Sequence, residues 1–356
     1  MFCNIVIDKD NGSVTSLDDL IIQKLIINNG QFVNNMSFFS GEVEINDSWL
    51  MGAEVRIVNN FLIMPQGQVN AQGNTIQIDR DWNCEGEFIH GNNQVMFKFD
   101  ETNQSISGNC AFYDLYLDNT NLSLQSHLTI QHHLINNNST LNANGYDIYL
   151  GGNWETDNGH FIHGNGHVYL NTVSGDHSLD QDDSFYNLTI GTPDTQGSIQ
   201  LEKAIRVDNQ LSIIKNNTLD VDNHMVSVGS QFNNRGAIST NGGILDFSNP
   251  NNETGNVLSN MPLANFEEVR FICEQVGERW YAMNSLTIDS PLTIDGCYLY
   301  ASFLTHSNTV DLLNNGQIIG PTAIPSLNQW GILIMIVLLV FMALVSLQRK
   351  RVPVDL

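Results

Sequence analysis

Gly145-Tyr146-Asp147-Ile148-Tyr149-Leu150, running on to Trp154 and to Phe161-Ile162-His163-Gly164-Asn165, repeats an earlier stretch of the same chain. That stretch is Gly73-Asn74-Thr75-Ile76-Gln77-Ile78, followed by Trp82 and Phe88-Ile89-His90-Gly91-Asn92. Phe112-Tyr113-Asp114-Leu115 returns at the same offset as Phe185-Tyr186-Asn187-Leu188. A weaker third copy passes through Leu219, Val226, Val228, Gly229 and Phe232, which follow Leu141, Ile148, Leu150, Gly151 and Trp154 at a slightly longer offset. Self-similarity at fixed period marks a chain whose units bury their apolar faces against their neighbours.

Within each copy the apolar residues alternate: Leu115/Leu117, Leu122/Leu124, Leu128/Ile130, Ile148/Leu150. A period of two is the signature of strands with one buried face. The connectors NNNST, NANG and NNRG are built from residues that tolerate left-handed backbone and bond locally through their side chains. These features predict an all-β body over residues 1–320, a right-handed parallel β-helix or solenoid, with repeats near 41–111, 112–184, 185–265 and 266–320. Tandem β-sandwich repeats are the competing architecture. The interval from Trp82 to Trp154 divides into three coils of about 24 residues, and asparagine amides would then bond to their counterparts one coil away. The spacing of Cys84 and Cys110 is close to one such coil, and so is that of Cys273 and Cys297. Each pair then falls on neighbouring turns, within disulfide reach. Cys3 is left over.

The end of the chain differs in kind. Ile324-Pro325-Ser326-Leu327-Asn328-Gln329-Trp330-Gly331 leads into an uncharged run that lasts to Leu347, and Arg349, Lys350 and Arg351 close it. As a helix, the eighteen residues from Trp330 to Leu347 rise about 27 Å, enough for a bilayer core of about 30 Å. The sequence therefore predicts a spacer and motif over 321–331, one transmembrane helix over 332–348 in the lipid bilayer, and a basic cytoplasmic tail over 349–356. Basic residues on the C-terminal side place the body outside the cytoplasm.

The tail resembles the IPTL-CTERM sorting signal of Gram-negative bacteria, whose pattern is Ile-Pro-Thr-Leu, two variable residues, then Trp-Gly. Here Ser326 replaces the threonine, and the likeness covers only about the last thirty residues. The resemblance implies recognition by an exosortase-type membrane enzyme that cuts near the motif. Pro325 removes a backbone donor and disfavours helix at Ile324, which keeps the segment extended for such an enzyme. Export also calls for an N-terminal signal. The opening MFCNIVIDKDNG has no basic start, apolar core or small-residue cleavage site. The expectation is an N-terminally truncated product, with a tail-anchored cytoplasmic body as the alternative.

The chain carries 38 acidic and 14 basic residues, a net charge of −24. Three of the basic residues lie in the tail, so the body is strongly acidic and ill-suited to nucleic acid or anionic lipid. Catalytic and metal patterns are sparse. His90 and His163 recur with the repeat, which predicts a structural role in stacking or in bonding a turn carbonyl, and His127, His132 and His133 lie between them. Consecutive His132 and His133 are expected on opposite faces of a strand, poor geometry for one metal site. Asp8-Lys9-Asp10-Asn11-Gly12 has the acidic spacing of a calcium loop, but its glycine falls fifth where an EF-hand loop has it sixth. Asp180, Asp182 and Asp183, or Asp220 and Asp222, are the remaining calcium candidates, and no other cofactor is indicated. Arg56, Arg80, Arg206, Arg235, Arg270 and Arg279 share no motif, and no paired carboxylates or nucleophile elbow stand out. The expectation is a non-enzymatic cell-surface or secreted protein, structural or adhesin-like, contacting glycan or matrix. A β-helical polysaccharide lyase or hydrolase is the alternative.

Overall fold

In the computed structural model, residues 3–98, 103–171, 175–249, 256–259, 263–273, 278–282, 286–301, 304–306 and 308–320 are described. The body is a parallel β-solenoid of about 14 turns. One turn shows the plan: Ile76–Ile78 lies on a first face, Trp82–Cys84 on a second and Glu87–Ile89 on a third. The chain then returns to the first face with Gln94–Lys98. Each strand is short because the chain must turn a corner. Inward residues such as Ile76, Ile78, Trp82 and Phe88 are buried, and the residues between them face out.

Strands pair in parallel with the strand one turn away. On the first face Ile76 pairs with Val95, Val95 with Leu115, Leu115 with Leu134 and Leu134 with Trp154. Each step advances the numbering by 19 or 20. This corrects two expectations. Tandem sandwiches are excluded, since sandwiches are built from antiparallel sheets. The coil is also shorter than expected through most of the repeat, so one repeat does not make a whole number of turns.

Ile76–Ile78 and Ile148–Leu150 are eleven strands apart, as are Trp82–Cys84 and Trp154–Asp157, and Glu87–Ile89 and His160–Ile162. With three strands to a turn, the sequence repeat advances three turns and two faces. Trp82 therefore lies on the second face and Trp154 on the first. The local packing is nonetheless reproduced. Trp82 meets Phe88 at 5.0 Å and Phe112 at 5.1 Å, and Trp154 meets Phe161 at 5.0 Å and Phe185 at 5.8 Å. Edge-to-face and tilted contacts of this kind suit the quadrupoles of aromatic rings.

The FIHG segment is the corner of this unit. Its glycine lies in left-handed backbone, φ 61° at Gly91 and 55° at Gly164. It stacks so closely on the preceding turn that a Cβ at Gly91 would sit 2.8 Å from the Gly73 nitrogen, and one at Gly164 2.5 Å from the Gly145 nitrogen. The histidine accepts a hydrogen bond at Nδ1 from the backbone N–H of Asn92 or Asn165, at 3.0 and 2.9 Å. Asparagine takes left-handed corners at little cost because its short side chain bonds locally. Among the described residues, ten of the twelve non-glycine residues with positive φ are asparagine.

Most asparagine bonds between turns run to backbone carbonyls, not to other amides. Asn74 Nδ2 donates to Met51 O, Asn93 to Asn74 O, Asn136 to His160 O and Asn144 to Leu124 O. Amide pairs across turns occur at Asn209–Asn187 and Asn46–Asn28. A corner leaves carbonyls that no strand partner reaches, and these are the acceptors an amide finds first.

Both cysteine pairs are bridged, and both staple the corner between the second and third faces. Cys84–Cys110 has Cα atoms 5.8 Å apart and Cys273–Cys297 5.3 Å, while Cys3 is free and exposed. Phe38–Ile45 runs straight through the first expected repeat boundary at residue 41. The sorting segment 321–331, the apolar helix 332–348 and the basic tail 349–356 lie outside the described residues. Among the described residues no helix is long and apolar enough to cross a membrane.

Candidate ligand cleft

Outward positions of the third face form a ladder because strand register places them one above the other. Thr129 pairs with Tyr149 and Tyr149 with Tyr169. The two tyrosine rings stack 4.8 Å apart and 4° from parallel. His167 covers the next ring, 3.9 Å from Tyr169 and 12° from parallel, and its Nε2 lies 2.8 Å from Thr189 Oγ1, one turn further on. Partial burial pushes the Tyr149 and Tyr169 hydroxyls up, with Asp147 adding to the effect, and pushes the His167 imidazole down.

A second ladder climbs the neighbouring corner, between the third and first faces. Tyr113 stacks between His90 at 5.5 Å and His132 at 4.6 Å. His132 and His133 sit at this corner between Leu128–Ile130 and Leu134–Asn137, with ring centroids 3.6 Å apart. This corrects the expectation of opposite faces, which holds only inside a strand. Asp114 organises the pair: its Oδ1 lies 2.8 Å from His132 Nδ1 and accepts the His133 backbone N–H at 3.0 Å. His133 Nδ1 accepts the Asn153 N–H at 3.0 Å. Burial, then the adjacent His132, lowers the His133 pKa.

Between the two ladders lies a cleft of about 550 Å³ bordered by Tyr113, Thr129, Gln131, His132, Tyr149 and Asn171. Gln131 Oε1 is 3.0 Å from His90 Nε2, so an FIHG histidine fixes one wall. A larger groove of about 600 Å³ crosses the first face near Ile21, Phe39, Arg56 and Met96. There the Arg56 guanidinium pairs with Asp79 at 2.8 Å and lies 5.6 Å from the Phe39 ring centroid, so its charge is already engaged.

His163 occupies the corner between the second and third faces, beside Tyr186 at 5.7 Å and 28°. His90 and Tyr113 keep almost the same relation, 5.5 Å and 29°, at a different corner. His127 Nδ1 accepts the Asp147 N–H at 3.0 Å and its ring meets Tyr146 edge-on. The acidic candidates are dispersed. Asp180 pairs with Lys203 at 2.8 Å, Asp183 accepts the Phe161 N–H at 2.6 Å, and Asp220 accepts the Asp222 N–H at 3.1 Å. Asp8 belongs to the strand Asn4–Ser16 and accepts from Asn29 at 2.6 Å. Among the described residues, no group of three histidine, cysteine or acidic side chains is placed to hold a metal ion.

Sequence reasoning flagged His90 and His132 but missed Tyr113, Thr129, Gln131, Tyr149, Tyr169 and Asn171. A signal was there: Ile148-Tyr149-Leu150 and Val168-Tyr169-Leu170 share one pattern at the true turn length. No family model, curated protein or solved structure matches this chain.

Proposed function

We propose that this chain is a bacterial surface rod: a right-handed solenoid, structural or adhesin-like and without catalytic activity. In this reading it is tethered through the apolar segment after Trp330 and processed by an exosortase-type enzyme at Ile324–Gly331. One observation carries the reading. The stacked turns continue to Gln317–Ile319, and only four residues then precede Ile324. The base of the rod would stand directly on the membrane, with its acidic flanks exposed to solvent.

Protease treatment of intact cells producing the chain, with mass spectrometry of the mature C-terminus, tests this. The expected result is a body cleaved from outside and a C-terminus between Pro325 and Trp330. A body protected from protease, or the intact apolar segment on every mature molecule, overturns it.

A polysaccharide lyase or hydrolase is the second reading, and His132 held by Asp114 at the cleft edge favours it. An imidazole oriented by a carboxylate is a usable general base. Release of reducing or unsaturated ends from polysaccharides incubated with the purified chain would select the enzyme.

A further inference from the structure

Tyr169 is covered on one side by Tyr149 and on the other by His167. Tyr149 ends the tyrosine pair, and its register partner on the far side is the short Thr129. An aromatic face is thus presented at the floor of the cleft, with Gln131, His132 and Asn171 around it. Two of these polar groups are held in place from behind, Gln131 by His90 and His132 by Asp114.

We propose that this cleft binds one ring of a neutral glycan chain, a deepening of the adhesin reading on which it rests. The weakly positive C–H face of a pyranose meets the negative face of the Tyr149 ring. Its equatorial hydroxyls then reach the Asn171 amide together with the Gln131 amide and the His132 imidazole, the last two already held in position by His90 and Asp114. A volume of about 550 Å³ lies within the range of small-ligand sites, and the cleft is open enough for a chain to run past it. The charge chooses among glycans. A chain of net charge −24, with Asp114 and Asp147 beside the cleft, disfavours uronates and sulfated sugars.

The test is calorimetric titration of the full chain, purified in a detergent without a sugar headgroup. The probes are cellohexaose, maltohexaose, mannohexaose and chitohexaose, with oligogalacturonate as the acidic comparator. The inference expects at least one neutral hexasaccharide to bind and oligogalacturonate to bind more weakly. Tyr149→Ala should weaken binding at least tenfold. Thr129→Phe, at an exposed strand position that accepts an aromatic, should abolish binding by covering the Tyr149 ring. Tyr281→Ala, in a separate stack with Tyr300, should leave it unchanged. No binding of any neutral probe, preference for oligogalacturonate, or equal binding by Thr129→Phe overturns the proposal. Failure here leaves surface display standing, because protease access in cells does not depend on the cleft.

Discussion

The indole Nε1 of Trp49 donates to Asn34 Oδ1 at 2.9 Å, and both side chains are completely buried. Asn34 in turn donates from Nδ2 to the carbonyls of Met36 and Ala53, at 3.3 Å each. One amide therefore satisfies an indole and two backbone acceptors at a corner of the rod. Asn34→Ala leaves all three without it, and an unsatisfied buried polar group costs about 1–3 kcal/mol. The expected loss is at least ~2 kcal/mol in urea unfolding, read from the midpoint. The Trp82 indole finds no partner among the described residues, so Trp82→Phe should cost less than Trp49→Phe.

Gly164→Ala should be strongly destabilising. The added Cβ meets the Gly145 backbone nitrogen at 2.5 Å, which no side-chain rotation relieves. Gly175→Ala is the matched control. It too has positive φ, 103°, but its Cβ would meet nothing within 4 Å. Left-handed strain alone costs roughly 1–2 kcal/mol, so Gly164→Ala should exceed Gly175→Ala by a clear margin in thermal melts.

Asp246 is buried on the second face, where Ser227 Oγ donates to its Oδ2 at 3.2 Å. Burial raises its pKa above the ordinary 3.8, against the smaller opposing pull of its hydrogen bonds and of Arg270 and Arg206. The folded chain thus holds this proton more tightly than the unfolded chain. The stabilisation is complete below pH 3.8 and is lost as pH rises through the raised value. Asp246→Asn keeps an acceptor for Ser227 and removes the buried charge. It is expected to raise the urea midpoint at pH 7 and to give little change near pH 3.

Two partly buried imidazoles act in the opposite sense. Burial lowers the pKa of His133 and His167 below 6.5, so the unfolded chain takes up protons first as pH falls. Their contribution is fully present above pH 6.5 and declines below it. The contribution of these two histidines should therefore drop between pH 7.5 and 5.5, and the double variant His133→Asn, His167→Asn should lose that part of the pH dependence relative to the parent chain.

Both disulfides close loops of similar size, with sequence separations of 26 and 24. A loop of that size is worth about 3.5 kcal/mol by the chain-entropy account. Reduction with dithiothreitol is expected to lower the melting temperature, and Cys84→Ser with Cys110→Ser should reproduce about half of that shift.

How far these features were legible depended on the kind of order involved. The strands showed plainly because Leu115/Leu117 and Ile148/Leu150 alternate in the residues themselves. The cysteine pairs showed because a spacing near one turn brings them together whatever the faces are called. The turn length did not show. The strongest sequence signal, Trp82 to Trp154, joins two different faces, and dividing it into equal coils overstated the 19 or 20 by which the first face steps. The cleft was hidden for the same reason. Tyr149, Tyr169 and Thr129 are neighbours only once the register between turns is known, and His132 beside His133 read as strand until the corner was placed.

The mismatch between the duplicated segment and the turn has an evolutionary consequence. A solenoid whose units had to match whole turns could lengthen only by strict increments. Here a module of eleven strands recurs two faces further around the axis, with its Trp-Phe-Phe trio and His-Tyr pair intact. The three walls are therefore interchangeable lodgings for the same module. Tandem duplication at many breakpoints would yield a foldable, longer rod, and each added copy would turn its surface toward a new compass bearing.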